Sequence, residues 1–319
     1  MAVKFKVLMY EPMHRQGTKL LESRCELVYA QSFDEAHLIS LAEDVDALVI
    51  RANGAVTAAL LEAAPRLKVI GRHGVGLDGI DLAAAKQRGV MVVYTPTANT
   101  QSVAEHFVGL AITLAKKLRS ADQALRAGRW QARYELIGSE LMGKILGVLG
   151  FGRIGQQTAR ICHLGFNMPV IYYDVVAGPQ AEAELGAQRV EMAEVFKQAD
   201  FISINLPLLP ATQGCINAAM LALMKPSAFL LNMARGPIWN EADVYQALAA
   251  GRIAGVGADV YAQEPASADN PLFKLDSFVG SPHMSAHTDE AMIKMSLVAR
   301  DVLAVLEGNK PQFPVPGFA

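Results

Sequence analysis

The 319 residues are 52% apolar and 19% charged, with a formal net charge of −2. That length exceeds the usual single domain, so two domains of roughly 100–200 residues each are expected, and the balance excludes a disordered chain or a polyanion-binding surface such as nucleic acid requires. Three cysteines, Cys25, Cys162 and Cys215, odd in number and outside any C-x-x-C spacing, argue against a disulfide framework and a structural zinc site. The charged start Met1-Ala-Val-Lys-Phe-Lys does not read as a signal peptide, and no apolar run reaches spanning length, so a soluble, cytoplasmic protein is expected.

In chain order, short apolar runs at Phe5 to Met9, Ala47 to Ile50, Leu67 to Ile70 and Val90 to Tyr94 are separated by helical patterns such as Ala58 to Ala64 and Leu82 to Arg88. This is the β-α-β rhythm of a parallel sheet. Thr95-Pro-Thr-Ala-Asn99 breaks it, and Ser102-Val-Ala-Glu105 reads as a capping box heading one amphipathic helix to about Ala127. The domain crossing is expected there. A second rhythm predicts six strands, at Lys144 to Leu149, Val170 to Tyr173, Phe201 to Ile204, Phe229 to Leu231, Ile253 to Ala258 and Phe278 to Gly280, enough for a complete dinucleotide fold. A last helix, Glu290 to Glu307, has no strand partner and is expected to pack back on the first domain.

The clearest motif is Gly150-Phe-Gly152-Arg153-Ile154-Gly155, which leaves a predicted strand and opens a helix. Gly150 permits the tight turn, Gly152 lets backbone approach a pyrophosphate, Gly155 allows close packing, and the amides of Arg153 and Ile154 face the anion. Asp174 ends the next strand, placed to accept from ribose hydroxyls and repel a 2'-phosphate. Val175, Val176 and Ala177 follow, with no cation to hold that phosphate, so NAD rather than NADP is the expected cofactor.

Ligands of open parallel sheets sit beyond the carboxyl ends of the strands, where Arg235, Glu264 and His283 lie. Singly each has a structural explanation. Together they supply a cation for a carboxylate and carbonyl, an acid/base, and a carboxylate that orients the imidazole and raises its pKa. That set suits oxidation of a 2-hydroxy acid, hydride leaving for nicotinamide and the proton for histidine. His283 and His287, four apart, also have the spacing of a metal pair, but Asp289 and Glu290 read as first-turn helix acids rather than ligands, so no metal is expected.

Six stretches carry a wider resemblance: Gly71-Arg-His-Gly-Val-Gly-Leu-Asp78, Asn99-Thr-Gln-Ser-Val-Ala-Glu-His106, the Gly150 loop, Asn232-Met-Ala-Arg-Gly236, Gly257-Ala-Asp-Val-Tyr-Ala-Gln-Glu-Pro265 and Ser281-Pro-His283. Across nearly the whole chain they resemble the D-specific 2-hydroxyacid dehydrogenase family, which includes phosphoglycerate dehydrogenase, glycerate dehydrogenase and hydroxypyruvate reductase. The resemblance implies an α/β protein of two doubly wound parallel-sheet domains: a Rossmann NAD-binding domain over 99–287, and a discontinuous flavodoxin-like substrate domain over 1–98 and 288–319. It makes Arg235 the carboxylate and carbonyl binder, His283 the proton donor and Glu264 its partner. It assigns the amides of Val75 and Gly76 to the substrate carboxylate, Asp259 and the Ala234 carbonyl to the nicotinamide carboxamide, and Thr100 to the cofactor phosphates or ribose.

The resemblance also implies a homodimer, through the helix from Ser102 and the Trp130 to Leu141 segment; Phe107, Leu110 and Leu114 are compatible with such a face but equally with core. Arg51, Arg72, His73 and His287 suggest a substrate with an extra anionic group, with Arg51 and His287 as candidate contacts; surface cations or internal ion pairs are the alternative. Glu264 and Val75 stand where formate and phosphite dehydrogenases are expected to have glutamine and lysine, which disfavours both chemistries. An NAD-sensing corepressor on the same fold is the alternative from another class, disfavoured by the lack of long flanking arms. No carboxy-terminal regulatory module is seen, so serine feedback is not expected.

Overall fold

Strands buried on both faces read as unbroken apolar runs, and two parallel sheets are built mainly from such runs. The computed structural model describes residues 5–318. The chain divides into two units, Met1–Asn99 with His287–Ala319, and Thr100–Ala286.

The first unit carries β1 (Phe5–Met9), β2 (Cys25–Tyr29), β3 (Ala47–Ile50), β4 (Val69–Arg72) and β5 (Met91–Val93). They pair in parallel in the order β2-β1-β3-β4-β5, the flavodoxin-like order. Side chains alternate across the sheet. Leu8, Leu48, Ile50, Ile70 and Val92 fill one face, while Val7, Met9, Val49, Val69 and Val93 meet Val298, Val302 and Leu306 on the other. The carboxy-terminal segment thus completes the amino-terminal sheet, and Val302 comes so close to Gly71 that a Cβ there would lie 2.6 Å from it. The single helix expected over 290–307 is two, Asp289–Ser296 and Val298–Leu306. At their junction the Ser296 hydroxyl donates back to the Ile293 carbonyl at 2.7 Å, a bond that bends helices.

The second unit carries β6 (Leu146–Leu149), β7 (Val170–Tyr173), β8 (Gln188–Arg189), β9 (Phe201–Ile204), β10 (Phe229–Asn232), β11 (Gly255–Ala258) and β12 (Phe278–Gly280). Their parallel order, β12-β11-β10-β9-β6-β7-β8, is a Rossmann sheet with one strand beyond the expected six, the two-residue β8. Chain order reverses between β6 and β9, and the carboxyl ends on either side of that point are where such folds take ligands.

The capping box is overturned. The helix begins at Thr100, because the 96–99 turn runs straight into it, and Ser102 is a buried residue of its first turn. The helix stops at Ala115 instead of reaching Ala127, and a second one, Leu118–Arg126, follows Lys117, whose φ is +52°. The returning chain explains the break: the Ser139 amide donates to the Ala115 carbonyl at 2.8 Å. No helix among the described residues is long and apolar enough to cross a membrane.

Candidate active site

Arg235, Glu264 and His283, the candidate catalytic residues, follow the carboxyl ends of β10, β11 and β12. His283 Nδ1 lies 2.7 Å from Glu264 Oε2, while Glu264 Oε1 accepts the Tyr261 amide at 3.0 Å. An ionised carboxylate only accepts, so Nδ1 carries the hydrogen and Nε2 is left to exchange a proton with a ligand. Burial pushes the Glu264 carboxyl up, but the bonds from His283 and the Tyr261 amide, with the charges of His283 and Arg235, outweigh it and hold the group below its ordinary range.

His283 has a φ of +49°, a left-handed conformation costing about 1–3 kcal/mol. The turn is held from beneath by Asp259, which is fully buried. The Asp259 carbonyl accepts the His283 amide at 2.8 Å, and its carboxylate accepts the Met284 and Ser285 amides, both at 2.8 Å. Arg235 leaves β10 with its Nη1 donating to the Ala234 carbonyl at 2.7 Å. The buried Asn232 side chain fixes this corner, donating to the Arg235 carbonyl and accepting the Ala234 amide, each at 3.0 Å. Gly236 sits so tightly on the Tyr261 carbonyl that no Cβ would fit, which keeps the Arg235 corner against the turn bearing Glu264.

The loop after β6 fits a dinucleotide. Gly150 has φ +88°, and a Cβ there would be 2.7 Å from the Asn205 carbonyl. A Cβ on Gly155 would strike the Gly150 carbonyl, whereas one on Gly152 meets nothing within 4 Å, leaving open space where a phosphate would approach. Arg153 and Ile154 begin the helix Arg153–Phe166, which no side chain caps, so its amino terminus is available to an anion. Asp174 accepts the Phe151 amide at 2.6 Å and the Val176 amide at 3.0 Å; a carboxylate retains further lone pairs for a ribose hydroxyl. Beside it is a hollow of about 420 Å³ lined by Tyr173, Asp174, Arg189, Val190 and Glu191.

Arg189 corrects the premise that no cation stands near Asp174. It arrives on β8, with its guanidinium donating to the Asp174 and Val175 carbonyls, each at 3.0 Å. Thr100 opens its helix.

In the first unit, Arg51 follows β3, its guanidinium held by the Pro12 carbonyl at 3.0 Å and the Met292 sulfur at 3.4 Å. Val75 and Gly76 lie half-buried in the loop after β4. Arg72 stitches that loop, donating to the carbonyls of Gly76, His73 and Arg51. His73 is a packed residue, 2% exposed, with no hydrogen-bond partner for either ring nitrogen among the described residues. Burial, then the positive charges of Arg51 and Arg72 and the nearby His287, push its pKa down to about 3, so it is neutral near pH 7. His287 is exposed.

Residues quoted within the motifs but given no role also meet here. His106 and Ser281, 175 positions apart, are 2.7 Å from each other, a contact only the fold reveals. Phe107, Leu110 and Leu114 are core residues, 1%, 8% and 7% exposed, and not a free face.

Residues 108–285 match the family model described as "D-isomer specific 2-hydroxyacid dehydrogenase, NAD binding domain". The chain is 39% identical to the D-3-phosphoglycerate dehydrogenase of Methanocaldococcus jannaschii over 97% of its own length and 60% of that protein. It is 36% identical to the hydroxypyruvate reductase of Thermotoga maritima over 92% of this chain and 95% of that one. The crystal structure of a Thermus thermophilus protein superposes with a TM-score of 0.91, at 31% identity, covering 98% of this chain and 100% of that one. The chain spans about three-fifths of the length of the phosphoglycerate dehydrogenases it matches.

Proposed function

The chain belongs to the D-isomer-specific 2-hydroxyacid dehydrogenase family, and on that premise we propose that it interconverts a small D-2-hydroxy acid and its 2-oxo acid with NAD. The observation that carries this reading is the His283–Glu264 pair, 2.7 Å apart with Nε2 left to the ligand. A bound nicotinamide supplies the hydride, or receives it in the reverse direction. In reduction, imidazolium His283 gives its Nε2 proton to the substrate oxygen and remains as the Nδ1–H form, still bonded to Glu264. Arg235 orients the carboxylate and carbonyl and stabilises the negative charge growing on that oxygen. Val75, Gly76, Arg51 and His287 are the proposed substrate contacts of the first unit; Thr100, Ala234 and Asp259 join the Gly150 loop and Asp174 as proposed cofactor contacts.

The relatives' named activities suggest a phosphoglycerate-, hydroxypyruvate- or glyoxylate-type substrate. The cationic Arg51 and the exposed His287, as proposed contacts, favour one with a second anionic group. NADH consumption across glyoxylate, hydroxypyruvate, phosphohydroxypyruvate, sulfopyruvate, oxaloacetate and longer 2-oxo acids tests both points. Turnover with none of them contradicts the function; equal kcat/KM for members with and without a second anionic group contradicts only the second anion.

Asp174 favours NAD by repelling a 2'-phosphate, and Arg189 stands ready to bind one when that acid is removed. Asp174→Ala alone is therefore expected to raise the NADPH/NADH ratio of kcat/KM by about 10- to 100-fold. Adding Arg189→Ala should cancel the gain; a ratio unchanged by Asp174→Ala would show that another group reads the ribose.

The protein is proposed to act in the cytoplasm, its three cysteines free, and as a homodimer. The proposed dimer surface includes the Trp130 to Leu141 segment, on which Trp130, Tyr134 and Ile137 are 62–75% exposed, large apolar side chains of the kind interfaces cover. Sedimentation should give twice the chain mass, and a monomer would contradict it.

A further inference from the structure

We propose that His106 is a positioning residue for His283, acting through Ser281 and the buried Asp259. This rests on the assignment of His283 as the acid/base. His106 projects from the helix Thr100–Ala115, with Nε2 2.7 Å from Ser281 Oγ and 3.8 Å from Asp259 Oδ1. Ser281 Oγ is in turn 2.6 Å from Asp259 Oδ1.

The direction of the chain of bonds follows from what each group can do. The Asp259 carboxylate only accepts, so the Ser281 hydroxyl hydrogen lies on Oδ1. The Ser281 oxygen is then left as acceptor, and His106 Nε2 must be the donor. Asp259 passes this constraint on, because its carboxylate takes the Met284 and Ser285 amides and its carbonyl takes the His283 amide, each at 2.8 Å. These are the residues of the turn that holds His283 at φ +49°, a backbone that persists only when its surroundings over-determine it. With the donor on Ser281 removed, the serine is held only by its own bond to Asp259, the turn above Asp259 is less firmly fixed, and the imidazole is held less tightly against Glu264.

The role is therefore that of an N–H donor, which glutamine reproduces at similar reach. His106→Ala is expected to lower kcat by roughly 10- to 100-fold, the size of loss that follows slight misplacement of reacting groups. His106→Gln should recover most of that loss, and in a His283→Ala background His106→Ala should add nothing, since coupled residues are not additive. The His283 imidazole resonances in ¹H–¹⁵N spectra should shift in His106→Ala and return in His106→Gln, whether or not His283 is the acid. Unshifted resonances, a wild-type kcat in His106→Ala, or glutamine no better than alanine would overturn the positioning role. A wild-type rate in His283→Ala alone would instead overturn the chemical assignment, leaving the resonances to judge the positioning.

Discussion

Replacing His283 with alanine is expected to lower kcat for 2-oxo acid reduction by on the order of 10³-fold, the usual contribution of a placed general acid, while NADH affinity stays within about twofold. The split follows from where the parts sit: the Gly150 loop and Asp174 lie after β6 and β7, whereas His283 follows β12, at the sheet's far edge. Glu264→Gln should cost less, since the amide oxygen still accepts the Nδ1 hydrogen but without the charge that steadies an imidazolium. The pH profile carries a second expectation. Because the Glu264 carboxyl is held below its ordinary range, its orienting charge is present above that depressed pKa and is lost only as pH falls through it, so protonation of Glu264 should not limit kcat until the pH is below about 4.3, the free glutamate value. Near wild-type turnover by His283→Ala would refute the assignment.

Arg235→Ala is expected to reduce kcat/KM by roughly 10²- to 10³-fold, the loss seen when a donor to a developing oxyanion is removed. KM for the 2-oxo acid should rise and kcat fall, because the same guanidinium holds the carboxylate in the ground state and meets the growing charge in the transition state. Lysine should restore little. The planar fork is set by the Nη1 bond to the Ala234 carbonyl and the Asn232 clamp beneath, and an ammonium cannot reproduce two parallel donors. A variant that binds substrate and turns over like wild type would move the carboxylate site elsewhere.

The interior of both sheets is readable in the sequence because strands buried on two faces must be apolar throughout. Val170–Tyr173, Phe201–Ile204 and Phe278–Gly280 fall on their expected limits. The strands that escape, β2 and β8, are both edges. Cys25–Tyr29 mixes buried and exposed residues, and Gln188–Arg189 is two exposed polar side chains. Missing β8 is what hid Arg189, since only its pairing with β7 brings a cation back to Asp174. Helix limits failed for a related reason. The stop at Ala115 is set by a backbone bond from Ser139, a partner no local pattern contains.

Within the candidate site, the types of His283, Glu264 and Arg235 at successive strand ends suggest a set, and the fold brings His283 and Glu264 to 2.7 Å. Their support is not legible in the sequence, because Asn232, Ser281 and His106 act through contacts made only on folding. In the first unit, Arg72 and His73 follow the structural alternative left open beside an anion site: one staples the loop after β4 and the other is a buried neutral ring.

The measurement that bears most directly on the central claim is the fate of a labelled hydride. With NADH carrying deuterium on the transferring face of nicotinamide C4 and hydroxypyruvate or glyoxylate as acceptor, the product 2-hydroxy acid should carry one deuterium at C2, and glycerate formed from hydroxypyruvate should be the D enantiomer. Product without deuterium at C2, or L-glycerate, would contradict the account.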